Sequence, residues 1–586
     1  MEDLDLRSME EARRLLEAAS AAAPRLAALS QESIDGIVDA IHLAAVPRAE
    51  AWARLAHEET GFGNVADKTA KNLFAAVDVY RFIRPMTTVG VLAEDHERRV
   101  IEIAAPAGIV AAIIPSTNPT STAINKILIA MKAACPIVLS PHPSARRCVI
   151  EVAGVLGQAA TAAGAPPGSI GCMSQVALEG TRELMRHPLT AIILATGGTG
   201  LVRAAYSSGK PAYGVGPGNV PAYVDRSADV AKAARDIVAG KTFDNGVLCS
   251  AENAVVADAP IAEALRKAMT DAGCLFLDDA AAERLSRLVV TPSGSLNPEI
   301  VGRDARTIAG KAGIDSPEGT RALVVTLRQV GPSAPLSREK LSPILAFYVE
   351  DGWEAACARC LEILAYGGMG HTMAVHARDR DVIMRFGLTK PVFRIVVNTP
   401  SATGAVGITT GVHPSLTLGC GALGGNITSD NITPRHLINV RRLAFEIRGR
   451  PPETAGPPRS SAPAPVEIPP PAAAAPPPAA APSGPERAGL RERVAAILRM
   501  RELPGRPSGT PPARPVPAAT PPAGAGTAPV RAEPPGPDAP RPAAFVCEAD
   551  VRQAIEENRK IIVSQRSIIT PAARDMGTAH RVFIEI

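Results

Sequence analysis

The sequence predicts an α/β protein: N-terminal helices, two successive parallel-sheet regions, a proline- and alanine-rich tail, and a small terminal α/β module. Three observations carry this reading. From Gly108 onward, short apolar runs alternate with helix-length stretches, the pattern of βαβ units whose sheet is covered on both faces. Glu2–Thr88 is rich in Ala, Leu, Glu and Arg, with apolar residues every three or four positions, which is a helical period. Of the 55 prolines, 28 fall between Pro451 and Pro542, so the proline excess belongs to one segment while the rest has an ordinary globular frequency.

The strand candidates in the first alternating region are Gly108–Pro115, Pro136–Ser140, Ala191–Ala195 and Pro221–Val224. Each is apolar almost throughout, as a strand buried on both faces requires. The helix candidates between them are Ser121–Ala134, Ala145–Ala163 and Gly200–Ser208, and a second alternating region runs from about Ser227 to Arg442. The divisions expected are 1–226, 227–425 and a returning segment at 426–450.

Beyond Arg450 the composition shifts abruptly. Segments 451–484 and 504–543 are Pro/Ala/Gly tracts that cannot bury enough apolar surface to fold, so they read as extended linkers. Between them, 485–503 sets Leu490, Val494, Ile497 and Leu498 in one stripe against Arg487, Arg491, Glu492 and Arg499. A helix of that length is marginal alone in water. The last division, 544–586, reads as helix (Glu548–Asn558), strand (Lys560–Val563), a helix starting at Thr570-Pro571, and strand (Arg581–Ile586).

Charge and cysteine usage narrow the function classes. With 62 basic against 58 acidic residues and only 3% aromatics, neither a phosphate-binding field nor a stacking surface for nucleic acid is expected. No apolar run approaches the ~18 residues of a membrane span, and Met1–Asp5 lacks the features of a signal peptide. Nine scattered cysteines argue against a disulfide framework, so a reducing, cytoplasmic setting is expected. Cys357 and Cys360 form a C-x-x-C with no second pair nearby. Two of four zinc ligands favour packing over a metal site, and no metal is expected.

Cys249 stands apart from the other cysteines. It follows Phe243-Asp244-Asn245-Gly246 and precedes Ser250-Ala251, a polar, glycine-containing turn. Such a turn can present a thiol to backbone N–H groups and favour the nucleophilic thiolate. Ser116, Thr117 and Asn118 leave a strand end where polar side chains can line a ligand crevice; an ordinary turn with an Asn or Thr cap is the structural alternative. Gly197 and Gly198 form a second strand-to-helix turn, which lets backbone approach a phosphate but is common in itself.

Taken in order, these positions resemble the aldehyde dehydrogenase superfamily, specifically its CoA-acylating branch, which includes enzymes of bacterial microcompartments. The match runs from Pro115–Pro119 to Leu416–Gly421 and Gly424-Gly425-Asn426. The resemblance implies a Rossmann-type cofactor domain at 1–226, a catalytic domain at 227–425 and an oligomerisation arm at 426–450, assembled as a homodimer or homotetramer. It places Cys249 on the family's nucleophile, Asn118 on its oxyanion-binding amide, and Glu339 on the carboxylate holding the nicotinamide ribose. Ser116, Thr117, Ser140, His142, Gly197, Gly198 and Gly216 fall along the cofactor path. Hydrolytic members carry a lysine near His142, so its absence leaves NAD and NADP both open, with NAD the expectation.

Hydrolytic members also carry a glutamate as base for water where this chain reads Tyr213–Asn219, a segment without a carboxylate. The implied reaction is therefore acyl transfer to coenzyme A from a short-chain aldehyde, in ping-pong order through a Cys249 thioester. His371 is a candidate to deprotonate the thiol or, equally, a satisfied structural histidine. A hydrolytic enzyme and a catalytically silent shell-assembly protein are the alternatives. The 485–503 stripe is similar to peptides that attach cargo enzymes to microcompartment shells, which implies shell proteins as partners. Ile568–Asp575 is similar to short modules of other microcompartment-operon proteins.

Overall fold

The computed structural model describes residues 2–448, apart from 292 and 293, and 543–585, apart from 544, 547, 558, 565, 566 and 570. Both linkers and the expected helix at 485–503, with its Leu490–Leu498 stripe, lie outside the described residues. The described residues fall into two compact units, 2–448 and 543–585.

Four helices open the chain: α1 (Glu2–Ala27), α2 (Gln31–Ala45), α3 (Ala49–Thr60) and α4 (Val65–Leu73). Their ends follow from local chemistry. Ser30 Oγ accepts from Ser33 N–H at 3.2 Å, and Asn64 Oδ1 accepts from Asp67 N–H at 2.8 Å, satisfying donors that the first turn leaves free. Helix α4 departs from an amphipathic pattern, because Lys68, Lys71 and Asn72 are all buried. Buried charges persist only when they are paired.

A two-stranded hairpin follows, β1 (Val91–Asp95) and β2 (Val100–Pro106). The first parallel sheet then comprises β3 (Ile109–Ile114), β4 (Ile137–Pro141), β5 (Ile170–Cys172), β6 (Thr190–Thr196) and β7 (Ala212–Val215), in the order β5-β4-β3-β6-β7. All six residues of β3 are buried, as expected for the central strand of a sheet with helices on both faces. From β3 the chain winds first toward β5 and then returns past β3 to β6 and β7. The direction therefore reverses beside β3, and a crevice opens at the carboxyl ends of the strands. At that point the buried Lys126 donates to the carbonyls of Ile113 (2.8 Å) and Leu194 (2.9 Å), tying the ends of β3 and β6 together.

The second sheet contains β8 (Val220–Val224), β9 (Glu252–Asp258), β10 (Cys274–Phe276), β11 (Ala322–Thr326), β12 (Ile344–Glu350), β13 (Met373–His376) and β14 (Ile395–Val397). Its order is β10-β11-β12-β9-β8-β13-β14, parallel throughout. One face packs on Ile237, Leu265 and Phe347, the other on Tyr223, Ile363 and Phe386. Finally β15 (Ile438–Ala444) pairs antiparallel with β2, completing a three-stranded sheet. Beyond and within it, Leu443, Phe445 and Ile447 are exposed.

Two sequence expectations are corrected here. Pro221–Val224, grouped with the first alternating region, belongs to β8 and pairs with β9 and β13 in the second sheet. The passage between sheets is therefore the turn 216–219 and not the segment near 226. Strands β5 and β7 were not anticipated; they have three and four residues, too short for an apolar run to stand out.

In the second unit, two parallel pairs form: Phe545–Val546 with Ile568–Ile569, and Ile561–Val563 with Phe583–Glu585. Helices Glu548–Glu556 and Pro571–Ala579 accompany them over a small core that includes Val551, Ala554 and Ala573. The expected helices are present, the strands expected at 560–563 and 581–586 appear as Ile561–Val563 and Phe583–Glu585, and the two short strands are additional.

Candidate active site

A cleft of about 740 Å³ opens at the carboxyl ends of β3, β4, β6 and β7 and reaches the first turn before β9. Ser116, Thr117 and Asn118 line it from the end of β3, and Ser140 and His142 from the end of β4. Gly197, Gly198 and Gly216 line it from the turns after β6 and β7, and Cys249 and Glu339 from the second-sheet side. Residues scattered over more than 200 positions thus meet because both sheets point their strand ends at one crevice.

Each wall has a local cause. Pro119 occupies the first position of helix Pro119–Lys132, where its missing N–H costs nothing. Asn118 precedes it in the N-cap position but its side chain makes no capping bond, so the ordinary-cap alternative does not hold. Its Nδ2 instead donates to Thr117 Oγ1 at 3.1 Å, and its Oδ1 accepts from the Lys71 ammonium. Ser140 Oγ is buried against Thr181 Oγ1 at 2.9 Å. His142 Nδ1 accepts from Ser144 N–H at 3.2 Å, and burial lowers its basicity. Open space adjoins Gly198, whereas a methyl group on Gly197 would meet Leu201 at 2.6 Å.

The nucleophile candidate sits on a strained approach. Asp244, Asn245 and Gly246 have φ of 48°, 54° and 73°, three consecutive left-handed residues of which only glycine adopts that region freely. What holds them is ionic: buried Asp244 pairs with Lys68 at 3.0 Å and with Lys71, and it accepts from Asn64 N–H at 2.8 Å. Asn245 Nδ2 donates to Gly302 O at 3.0 Å.

The expectation that this turn favours a thiolate is corrected. Burial pushes the Cys249 thiol up to about 12, with the charge of Glu339 and the neighbouring Cys420 adding to the effect and Arg394 opposing it. Desolvation outweighs the nearby cation. Burial likewise pushes Glu339 up to about 7, against the Gly218 N–H, which donates to its Oε1 at 3.0 Å.

His371 does not line the cleft. It is fully buried behind Gly218, with Nδ1 3.0 Å from Thr372 Oγ1 and no partner on Nε2. Burial, and then Arg394, push it down to about 3, so it is neutral at neutral pH. A methyl group on Gly218 would lie 2.2 Å from the Cys249 carbonyl oxygen and 3.2 Å from His371 Cγ. Gly218 is thus the wall shared by nucleophile loop and histidine, and no side chain fits there.

Sequence reasoning missed Lys71, Asp244 and Arg394. Asp244 and Lys71 are 173 positions apart, and the sole hint was two lysines three residues apart on a helix otherwise read as amphipathic. Cys357 and Cys360 are free, and among the described residues no cluster of three or more His, Cys, Asp or Glu could hold a metal. No helix among them is long and apolar enough to cross a membrane.

Comparison with known proteins bears directly on this geometry. The aldehyde dehydrogenase family model matches residues 3–274. A crystal structure of an acetylating aldehyde dehydrogenase from Geobacillus thermoglucosidasius is 51% identical, with a TM-score of 0.76, covering 77% of this chain and 100% of that one. This chain belongs to the aldehyde dehydrogenase family. A propionaldehyde dehydrogenase of the Clostridium phytofermentans fucose-utilisation microcompartment is 30% identical over 74% of this chain and 97% of its own, with a TM-score of 0.68. Aldehyde-alcohol dehydrogenase 2 of Entamoeba histolytica is 40% identical over 424 residues, 71% of this chain. The chain spans about half the length of that curated relative, 49%. In this chain the five-stranded sheet with its glycine turns and the cysteine loop before β9 are the two halves that the crevice joins.

Proposed function

We propose that this chain is a CoA-acylating aldehyde dehydrogenase that converts a short-chain aldehyde to its acyl-CoA. The observation that carries the proposal is the turn at 216–219. It holds no carboxylate, and Gly218 lies too close to the Cys249 carbonyl for any side chain to be added. Without a base for water, an enzyme thioester waits for a better nucleophile, and a thiol needs no strong base. The likeness to an acetylating enzyme supports the same reading.

The residues fit a nicotinamide dinucleotide: Gly198 leaves open space beside the backbone at a helix start, and Glu339 projects a carboxyl group into the cleft. Ser116, Thr117, Ser140, His142, Gly197 and Gly216 would line its path. NAD is the proposed form. When bound, it supplies the acceptor for the hydride that the aldehyde adduct loses.

The chain's own residues do the rest. Cys249 gives its proton to water in the cleft as its sulfur attacks the aldehyde carbon, so one proton is released for each thioester and NADH formed. The oxyanion is held by the Asn118 amide and the Cys249 N–H, which stabilise charge that appears only on reaction. Oxidation leaves a thioester on Cys249. CoA then attacks it, the acyl group transfers, and the cysteine is released. The CoA thiol proton ends on the released Cys249 sulfur, which balances the exchange; His371, neutral, behind Gly218 and with no partner on Nε2, is the candidate to relay it.

The test is CoA dependence. With aldehyde and NAD alone, one NADH per active site is expected, with sustained turnover only on adding CoA, and nothing from Cys249→Ala. Full turnover without CoA, yielding free carboxylate, would overturn acyl transfer and establish hydrolysis. Inactivity with every short aldehyde would favour the silent assembly protein.

We further propose that the enzyme is microcompartment cargo, attached to shell proteins through Leu490, Val494, Ile497 and Leu498. Support comes from the likeness to a microcompartment enzyme and from the composition of the tail. Deleting 485–503 should leave turnover intact and abolish co-purification with shells. The exposed Leu443, Phe445 and Ile447 around β15 support a homodimer or homotetramer joined through the three-stranded sheet.

A further inference from the structure

The Asn118 side chain is useful to an oxyanion only if its NH2 half faces the cleft. A primary amide is nearly symmetric in shape, and rotating it by a half-turn exchanges a donor for an acceptor. Presented to an oxyanion, the carbonyl half would repel the charge it must stabilise. Something must therefore select the orientation.

Lys71 can do so. An ammonium group has three donors and no acceptor, so the atom it touches must be Oδ1, and Lys71 Nζ does donate to Asn118 Oδ1. One Nδ2 hydrogen goes to Thr117 Oγ1. The other is left for the cleft that Asn118 lines. We infer that Lys71 is a positioning residue for the reaction, fixing the Asn118 amide with its N–H toward the reacting oxygen. The inference rests on the oxyanion role proposed for Asn118.

The surroundings explain how Lys71 keeps its charge there. It is 1% exposed, and burial lowers its basicity to about 8 even with Asp244 pulling the other way. Asp244, with a smaller contribution from Asp67, pulls it toward the protonated form. Lys68 shares the same carboxylate and donates to Thr117 O at 3.2 Å, but does not reach the Asn118 side chain. Asp244 lies five residues before Cys249 on the left-handed turn. One buried ion cluster therefore ties the oxyanion donor to the nucleophile's loop. A cluster serving only the fold would need the Lys–Asp pairing but not the contact with an amide at the cleft wall.

The experiment is a double-mutant cycle on the full-length chain. Each variant is mixed rapidly with acetaldehyde and NAD without CoA, and the first-order rate constant of the single NADH turnover is read. That constant is independent of the fraction of protein folded, which appears in the amplitude. Asn118→Ala should slow it about 10²–10³-fold. Lys71→Met should slow it by up to about 10² at little cost in aldehyde KM, as for a misplaced catalytic group. In the Asn118→Ala background, Lys71→Met should change the rate by less than about threefold, because the amide it positions is gone. Should Lys71→Met give no soluble protein, Lys71→Gln takes its place in the same cycle. Equal slowing by the Lys71 substitution in both backgrounds, or a reduced amplitude at the wild-type rate constant, would overturn the inference. An unchanged rate in Asn118→Ala would overturn the oxyanion role itself.

Discussion

Gly218→Ala tests how tightly the nucleophile loop is built. The added methyl would sit 2.2 Å from the Cys249 carbonyl oxygen, 3.2 Å from the Cys249 carbonyl carbon and 3.2 Å from His371 Cγ. The two nearest obstacles are backbone, so no rotamer relieves the clash. Reaching an ordinary carbon–oxygen separation requires the two segments to part by roughly 1 Å. Overpacking of this kind costs about 1–3 kcal/mol of stability. The larger effect should be kinetic, because a displacement of that size at a reacting group costs about 10²-fold. The assay is the single-turnover NADH rate constant with aldehyde and NAD, alongside a denaturant midpoint. Gly218→Glu should be at least as slow and should not restore hydrolysis, since a longer side chain starts from the same clash. A Gly218→Ala rate constant within about threefold of wild type would refute the reasoning, as would water-dependent turnover in Gly218→Glu.

Three further outcomes follow from the electrostatics. A thiol raised to about 12 is overwhelmingly protonated at neutral pH, so alkylation of Cys249 by iodoacetamide in the enzyme alone should be slow. It should climb about tenfold per pH unit up to pH ~10, because the thiolate fraction does; a plateau below pH ~9 would contradict this. Glu339→Gln removes a negative charge that holds the thiol up, so alkylation at a given pH should accelerate while dinucleotide binding weakens, measured on the same sample. His371 is pushed down to about 3 and is neutral above that. As the proposed relay, His371→Ala should leave the CoA-free NADH turnover nearly intact and slow acyl transfer to CoA by about 10²-fold, the low end for a group that moves a proton; equal slowing of both halves, or no slowing of either, would point to a structural histidine.

Much of the architecture was legible because it is repeated locally. Gly108–Pro115 and Pro136–Ser140 are apolar runs bounded by breakers, and they fold as β3 and β4 within a residue or two. The turns at 197–198 and 216–217, and Cys249 at the end of its polar approach, all lie on the cleft. Strand β8 was misgrouped because an apolar strand carries no mark of which sheet it joins; hydrogen bonding to β9 and β13 makes that choice. His371 was flagged as near the site, yet only packing puts Gly218 between it and the cleft.

By itself, the sequence determined the α/β class, the strand–turn–helix order, the loop that bears Cys249 and the point near Arg450 where the proline-rich tail begins. Those are properties of residue spacing and backbone preference within some twenty positions. The tertiary structure alone decided that Lys71 and Asp244, 173 residues apart, pair beside Asn118. It likewise decided that the Cys249 thiol is raised when its turn suggested the reverse. Ionisation and amide orientation depend on desolvation and on which charges converge in space, and neither quantity is a function of distance along the chain.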